Sequence, residues 1–163
     1  MRILGIDPGL GRMGWGVIEE HGSSLKPIAY GCIETPTGIP DEKRLVMIFN
    51  TLQEVLSTHK PEIMAVEELF FSRNVTTAFM VGQARGVALL VAAQHGISVI
   101  THSPSQVKLA VTGYGNAEKK QIGQMVKIIL HLEKLPKLDD TTDALAIALT
   151  QAFSGKLRLK LAK

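Results

Sequence analysis

The chain predicts a mixed α/β fold, one sheet of five strands with helices on both faces, and three observations carry the prediction. Residues 2 to 34 hold three strand-like segments in succession with glycine or proline between them. Beyond them, short apolar runs alternate with segments of helical periodicity. Finally, 163 residues with 45% apolar content suffice for one sizeable core and not for two. Strands that pair in a meander and then alternate with helices give a sheet that is antiparallel first and parallel afterwards.

In chain order, RILGID (2–7) reads as a buried strand stopped by Pro8-Gly9 and Gly11, and WGVIEE (15–20) and residues 25–34 as the next two strands. Asp41 is placed to cap a helix in which Leu45, Ile48, Phe49, Leu52, Val55 and Leu56 recur at helical spacing until His59-Lys60-Pro61. IMAVE (63–67) is a fourth strand, ELFFSRN (68–74) a loop, and Val75 to about His95 a long helix rich in small residues that stops at Gly96. ISVIT (97–101) is the fifth strand. Ser103-Pro104 then supplies a cap and a first-turn proline for a short helix, Gly113-Tyr114-Gly115-Asn116 break the chain, and helical periodicity resumes from Ala117 to about Leu132. A last helix starts near Asp139 and carries Leu145, Ile147, Ala148 and Phe153. No internal repeat or linker divides residues 1–155, and residues 156–163 form a basic tail with Lys156, Arg158, Lys160 and Lys163 and no acid. Such a tail is either a solvated end or a phosphate contact.

Composition narrows the class. Charged residues at 20% and a mean hydropathy of +0.16 argue against disorder, collagen-like repeats and a disulfide scaffold. Cys32 is the only cysteine, which leaves neither an internal disulfide nor a cysteine-based zinc site. The N-terminus lacks the layout of a signal peptide, and no apolar run reaches the roughly 18 residues of a spanning helix, so a cytoplasmic protein with no membrane partner is expected. A net charge of +3 with pI near 9.1 is a mild basic bias that suits a polyanionic partner.

The chemistry lies where carboxylates interrupt apolar segments. Asp7 ends the first strand just before a Pro-Gly turn, where an aspartate also serves as a turn acceptor. Glu67 ends the fourth strand in the same manner. In DDTTDALAIAL (139–149), Asp140 and Asp143 are three apart and share one face of a helix's first turn, where a capping role for Asp139 or Asp140 is the simpler alternative. The helix behind them is almost wholly apolar, so Asp143 at its head needs a cation or a metal. Four acids gathered at one place raise one another's pKa, and a divalent ion with a preference for hard oxygen resolves the conflict. Two Mg²⁺ ions ~3.5–4 Å apart would serve an in-line displacement at phosphorus. An acidic pocket on an otherwise basic body suits a nucleic-acid backbone.

Five ordered blocks, GIDPGLGRMGWGV (5–17), AVEELFFSRN (65–74), GQARGVALL (82–90), SPSQVKLAVTGYGNAEKKQI (103–122) and DDTTDALAIAL (139–149), resemble the RuvC family of bacterial Holliday junction resolvases along nearly the whole chain. The resemblance implies an RNase H-like fold and a homodimer. It also implies Mg²⁺-dependent, paired and symmetric nicking of four-way junction DNA to give 5'-phosphate and 3'-hydroxyl ends, in company with the RuvA-RuvB branch-migration complex. Carried over by position, Asp7, Glu67, Asp140 and Asp143 match the family's metal-binding quartet, with the three-residue interval to Asp143 favouring Asp140 over Asp139 and block register favouring Glu67 over Glu68. Lys108 and Lys119 match basic positions near the substrate phosphates, with Lys120 beside them. Phe70 matches a loop aromatic implicated in opening bases at the junction centre, with Phe71, Arg73 and Asn74 alongside. Phe71 departs from the family's methionine, and either ring is able to stack on an unpaired base.

Two opposed nicks need two sites, so a two-fold dimer is the economical arrangement. Gly82 and Gly86 with nearby alanines permit close helix approach, either to the chain's own sheet or to a second subunit. The family uses this helix for dimerisation, and Arg85 serves either contact. Two readings from other classes compete. A phosphate-binding ATPase or sugar-kinase-like domain also begins with a strand ending in Asp and a Gly-rich turn, but requires a second such domain for which this chain has no room. A non-catalytic junction-binding module would keep the lysines and phenylalanines and need no acidic quartet.

Overall fold

Period-two alternation in the central strands sends side chains to two separate cores. The structure, a computed structural model, describes residues 1–68 and 75–161, with side chains given as far as residue 154 and not for residue 75. In chain order the elements are β1 (Arg2–Asp7), β2 (Arg12–His21), β3 (Ser24–Glu34), α1 (Asp41–His59), β4 (Ile63–Glu67), α2 (Val75–Gln94), β5 (Ser98–His102), α3 (Pro104–Thr112), α4 (Lys119–Ile129) and α5 (Asp139–Leu161). The five strands form one sheet in the order β3-β2-β1-β4-β5. β1 is antiparallel to β2 and β2 to β3, whereas β1 and β4, and β4 and β5, are parallel. This is the mixed sheet that the pattern predicted.

Ile3 of β1, Ile18 of β2 and Ala65 of β4 pack with Val107, Val126, Leu145 and Ala148 on the face covered by α3, α4 and α5. Leu4 and Ile6, Met13 and Val17, and Met64 and Val66 pack on the opposite face with Ile48, Leu52, Ala84 and Ala88 of α1 and α2. Residues two apart share a face of a strand, so the apolar runs are continuous because both faces are covered. Each fully buried aliphatic side chain contributes about 1.5–3 kcal/mol relative to exposure. Pro27 lies in β3, which is an edge strand, beside an irregularity in its pairing with β2. A residue without an N–H is tolerated there.

Several boundaries shift for local reasons. β2 begins at Arg12, not Trp15, because its pairing continues through Asp7 opposite Gly14 and Arg12 opposite Glu34. Pro40 occupies the cap position of α1, and Asp41 is instead in its first turn, paired with Arg44 at 3.2 Å. α4 starts at Lys119 because Glu118 and Gln121 form a reciprocal capping box, and it ends at Ile129. Ser103 caps α3 as its sequence foretold, with Gln106 closing that box. The backbone of α5 runs on to Leu161; the rest of the basic segment and its side chains lie outside the described residues.

α2 corrects one expectation. The 19 residues Thr76–Gln94 are long enough, and at a mean hydropathy of 1.3 apolar enough, to cross a membrane, although Gln83 and Arg85 interrupt the run. The high mean comes mainly from its valines and leucines with Phe79 and Met80, and the alanines add less. Ala84, Ala88, Val91 and Ala92 are packed in the core against α1, while Phe79 and Leu90 stand 66% and 52% exposed.

Candidate active site

Asp7 and Glu67 end neighbouring parallel strands. The register that pairs Ile3 with Ile63 and Ile6 with Val66 makes them next neighbours at the same edge. Asp7 follows Ile3 and Gly5 on one face of β1, and Glu67 follows Ala65 on β4, so both carboxylates emerge on the side covered by α5. α5 can lie unusually low there. A β-carbon on Gly5 would collide with the Ala144 carbonyl and the Ala148 backbone, one on Gly14 with the Asp140 carbonyl, and one on Gly16 with the Leu145 side chain. Three glycines facing one way therefore form the bed on which the first turns of α5 rest. Gly14 is the strand partner of Asp7, and the same contact brings Asp140 to it.

The electrostatics record this gathering. Burial, then the charges of Asp143, Glu67 and Asp140, push the Asp7 carboxyl from its ordinary 3.8 up to about 8. Burial and the Asp143 charge raise Glu67 as well, against the pull of Lys119 and Lys108. Asp143 is raised by burial although Lys119 Nζ lies 2.8 Å from its Oδ2. The same ammonium stands 3.6 Å from Asp139. Burial opposes the charge on Lys119, but its bond to Asp143 outweighs that and raises its pKa. Arg12 Nε is 3.4 Å from Asp140 Oδ2, an ion pair without hydrogen-bond geometry, and that buried oxygen makes no hydrogen bond.

Among the described residues no three acid side chains already stand close enough to hold one ion together; Lys119 is paired with Asp143 and Arg12 with Asp140. The donor set nevertheless fits a hard divalent cation. It consists wholly of carboxylate oxygens, one of them buried and unsatisfied, around an Asp7 whose mutual repulsion a cation would relieve. Glu67 and Asp143 line a cavity of about 200 Å³ with Lys108, Lys119 and Pro104. An anionic oxygen brought into it would meet two ammonium groups.

The other expected residues divide. Lys120 lies beside this cavity, lining an adjoining hollow with Lys119, Asp139 and Asp143. Phe70, Phe71, Arg73 and Asn74 lie outside the described residues. On α2, Arg85 turns to its own sheet, its Nη2 donating to Thr101 Oγ1 at 3.2 Å. Gly86 is exposed, with nothing within 4 Å of where a β-carbon would be.

Several contributors had escaped the one-dimensional pattern. The glycine bed was signalled by Gly14 and Gly16 two apart on one strand, facing Gly5. Arg44, buried on α1, donates from Nε to Thr35 Oγ1 at 2.9 Å. Thr35 in turn donates from its hydroxyl to the Leu10 carbonyl and from its N–H to Gly11 O at 3.0 Å. This latch holds the turn that follows Asp7, and nothing in the local sequence announces it.

Comparison with known proteins places these features in context. The family model for crossover junction endodeoxyribonuclease RuvC matches residues 3–151. The RuvC of Brevibacillus brevis is 55% identical over 152 residues, covering 93% of this chain and 92% of that protein. That of Heliobacterium modesticaldum is 54% identical over 154 residues, covering 94% and 95%. Among solved structures, Thermus thermophilus RuvC in complex with a Holliday junction substrate superimposes with a TM-score of 0.91 at 37% identity, over 96% of each chain.

Proposed function

The chain belongs to the RuvC family of crossover junction endodeoxyribonucleases, and from that premise we propose that its acidic cluster, with the cavity that Glu67 and Asp143 line beside Asp7 and Asp140, is the centre at which Holliday junctions are cut. Family membership makes it a metal-dependent endonuclease acting on junction DNA in recombination and repair. The proposal concerns how this chain's residues do so. It is carried by one observation, the delivery of Asp7, Glu67, Asp140 and Asp143 from three segments to one end of the sheet.

Asp7, Glu67, Asp140 and Asp143 would hold Mg²⁺, two ions per subunit. Bound there, divalent ions supply an activated water and stabilise the leaving oxygen of an in-line displacement. Lys108 and Lys119 draw the scissile phosphate into the cavity, and Lys120 holds the adjacent backbone. Lys119, now on Asp143, keeps part of the acidic charge neutralised before metal and DNA arrive. Phe70 and Phe71, with Arg73 and Asn74, engage the junction centre. A two-fold dimer through α2 supplies the second site, with Gly82 and Gly86 admitting close approach and Phe79 and Leu90 offering exposed apolar surface. Paired symmetric nicks leaving 5'-phosphate and 3'-hydroxyl ends follow, coupled to RuvA-RuvB branch migration.

A synthetic mobile four-way junction incubated with the purified chain, with and without Mg²⁺, tests this reading. Paired, metal-dependent nicks are expected from the wild type. Asp7→Asn should keep junction binding and lose at least about a hundredfold in nicking, equivalent to ~2.7 kcal/mol of barrier. A variant that cuts normally would remove Asp7 from the centre, and an unmodified chain that binds without cutting would favour a binding module.

A further inference from the structure

Tyr114 is 60% exposed on the connection between α3 and α4, yet its backbone is held from both sides. Thr112 Oγ1 accepts the Tyr114 N–H at 3.1 Å and lies within donating distance of the Lys108 carbonyl, at 2.8 Å, and the Tyr114 carbonyl, at 3.0 Å. The Tyr114 carbonyl also accepts the Ala117 N–H at 3.2 Å, closing a turn. An aromatic ring on a backbone so held gives up little freedom when a ligand packs on it. It forms one wall of an open groove of about 410 Å³ whose other residues include Lys120, Gln124 and Met125.

Gly115, the next residue, has no positive φ, and a β-carbon there would meet nothing within 4 Å. Among the described residues, neither backbone conformation nor a neighbouring atom requires a glycine at this place. A bare backbone on an open turn is what the close approach of another backbone needs. The surroundings name its charge. Lys108 and Lys119, on the helices that flank the connection, line the acidic cavity, and Lys120 lines both the Tyr114 groove and the hollow beside Asp143.

We propose that the Tyr114–Gly115 turn is a contact element for the DNA strand being cut: the ring packs on the sugar and base edges next to the scissile phosphate, and Gly115 lets the strand's backbone lie against the turn. This rests on the acidic cavity being the nuclease centre. An apolar peptide would use the ring and Met125 but has no need of Lys120 at the rim or of an unsubstituted Gly115.

Titration of a dye-labelled four-way junction, in an Asp7→Asn background that prevents cutting, tests the turn. Tyr114→Ala should weaken binding at least about fivefold. It should leave the slope of log K against log salt unchanged, whereas Lys120→Ala should lower that slope by about one. Tyr114→Phe should bind as the parent does. Gly115→Ala should melt at the parent's temperature and still bind the junction more weakly. Unchanged binding by both Tyr114→Ala and Gly115→Ala overturns the proposal, as does a lysine-like change of slope for Tyr114→Ala or a Tyr114→Phe chain as weak as the alanine variant. Loss of binding to an apolar peptide with junction binding intact would overturn it in favour of peptide docking. Wild-type nicking of the same junction keeps the two questions apart. Absent nicking counts against the nuclease centre, and nicking beside unchanged variant binding counts against the turn alone.

Discussion

The role proposed for Asp7 sets two conflicting demands, since the carboxyl would have to be ionised to hold a cation and yet is buried beside other carboxylates. Its pKa of about 8 means that between about pH 4 and pH 8 the folded, metal-free chain keeps a proton that the unfolded chain has released. Stability therefore falls as pH rises through that window, and Glu67 and Asp143, raised as well, contribute in the same direction. Melting of the metal-free protein should show a higher midpoint near pH 5 than near pH 8, and Asp7→Asn should shrink the difference; an equal difference in the variant would refute the assignment. Neighbouring acids separate at this scale too. Asp139 is 77% exposed, whereas the Asp140 backbone rests on Gly14 and its less exposed side chain pairs with Arg12. Glu67 lines the cavity, whereas Glu68 is exposed. The doubled letters alone do not distinguish them; a strand's alternation and a helix's packed face do.

At the scale of elements, the decisive contact is α5 on the bed made by β1 and β2. A methyl group on Gly14 has no room beside the Asp140 backbone, so Gly14→Ala must lift the helix end that carries both aspartates. We expect a loss of about 1–3 kcal/mol in denaturant unfolding, the usual cost of overpacking, together with loss of nicking in molecules that remain folded. A variant of full stability and activity would show that α5 does not depend on the bed. The strands were legible because covered sheets need apolar side chains on both faces and end where turn residues intervene. The start of β2 was not, since Arg12 to Gly14 look like loop until β1 and β3 are there to pair with them.

For the whole molecule, the proposed single centre per chain would call for two chains to make two opposed nicks. Gly86 is open to solvent, so Gly86→Leu should leave the melting temperature within a few degrees of the parent's while lowering the sedimentation mass toward that of one chain and uncoupling the two nicks. A dimer that persists would move the interface off this face of α2. The outward apolar strip that lets Thr76–Gln94 pass as a bilayer span is the same surface a second subunit would cover.

Fold class, strand count and the segments that carry acids were readable along the chain because periodicity and turn chemistry are local properties, set by which face of an element meets solvent. Whether those acids meet depends on contacts between residues far apart in sequence: Gly14 beneath Asp140, Lys119 on Asp143, Arg44 through Thr35 to the turn after Asp7. Such contacts exist only once helix and sheet have docked, and their distances, burial and charges then set the chemistry of the cavity.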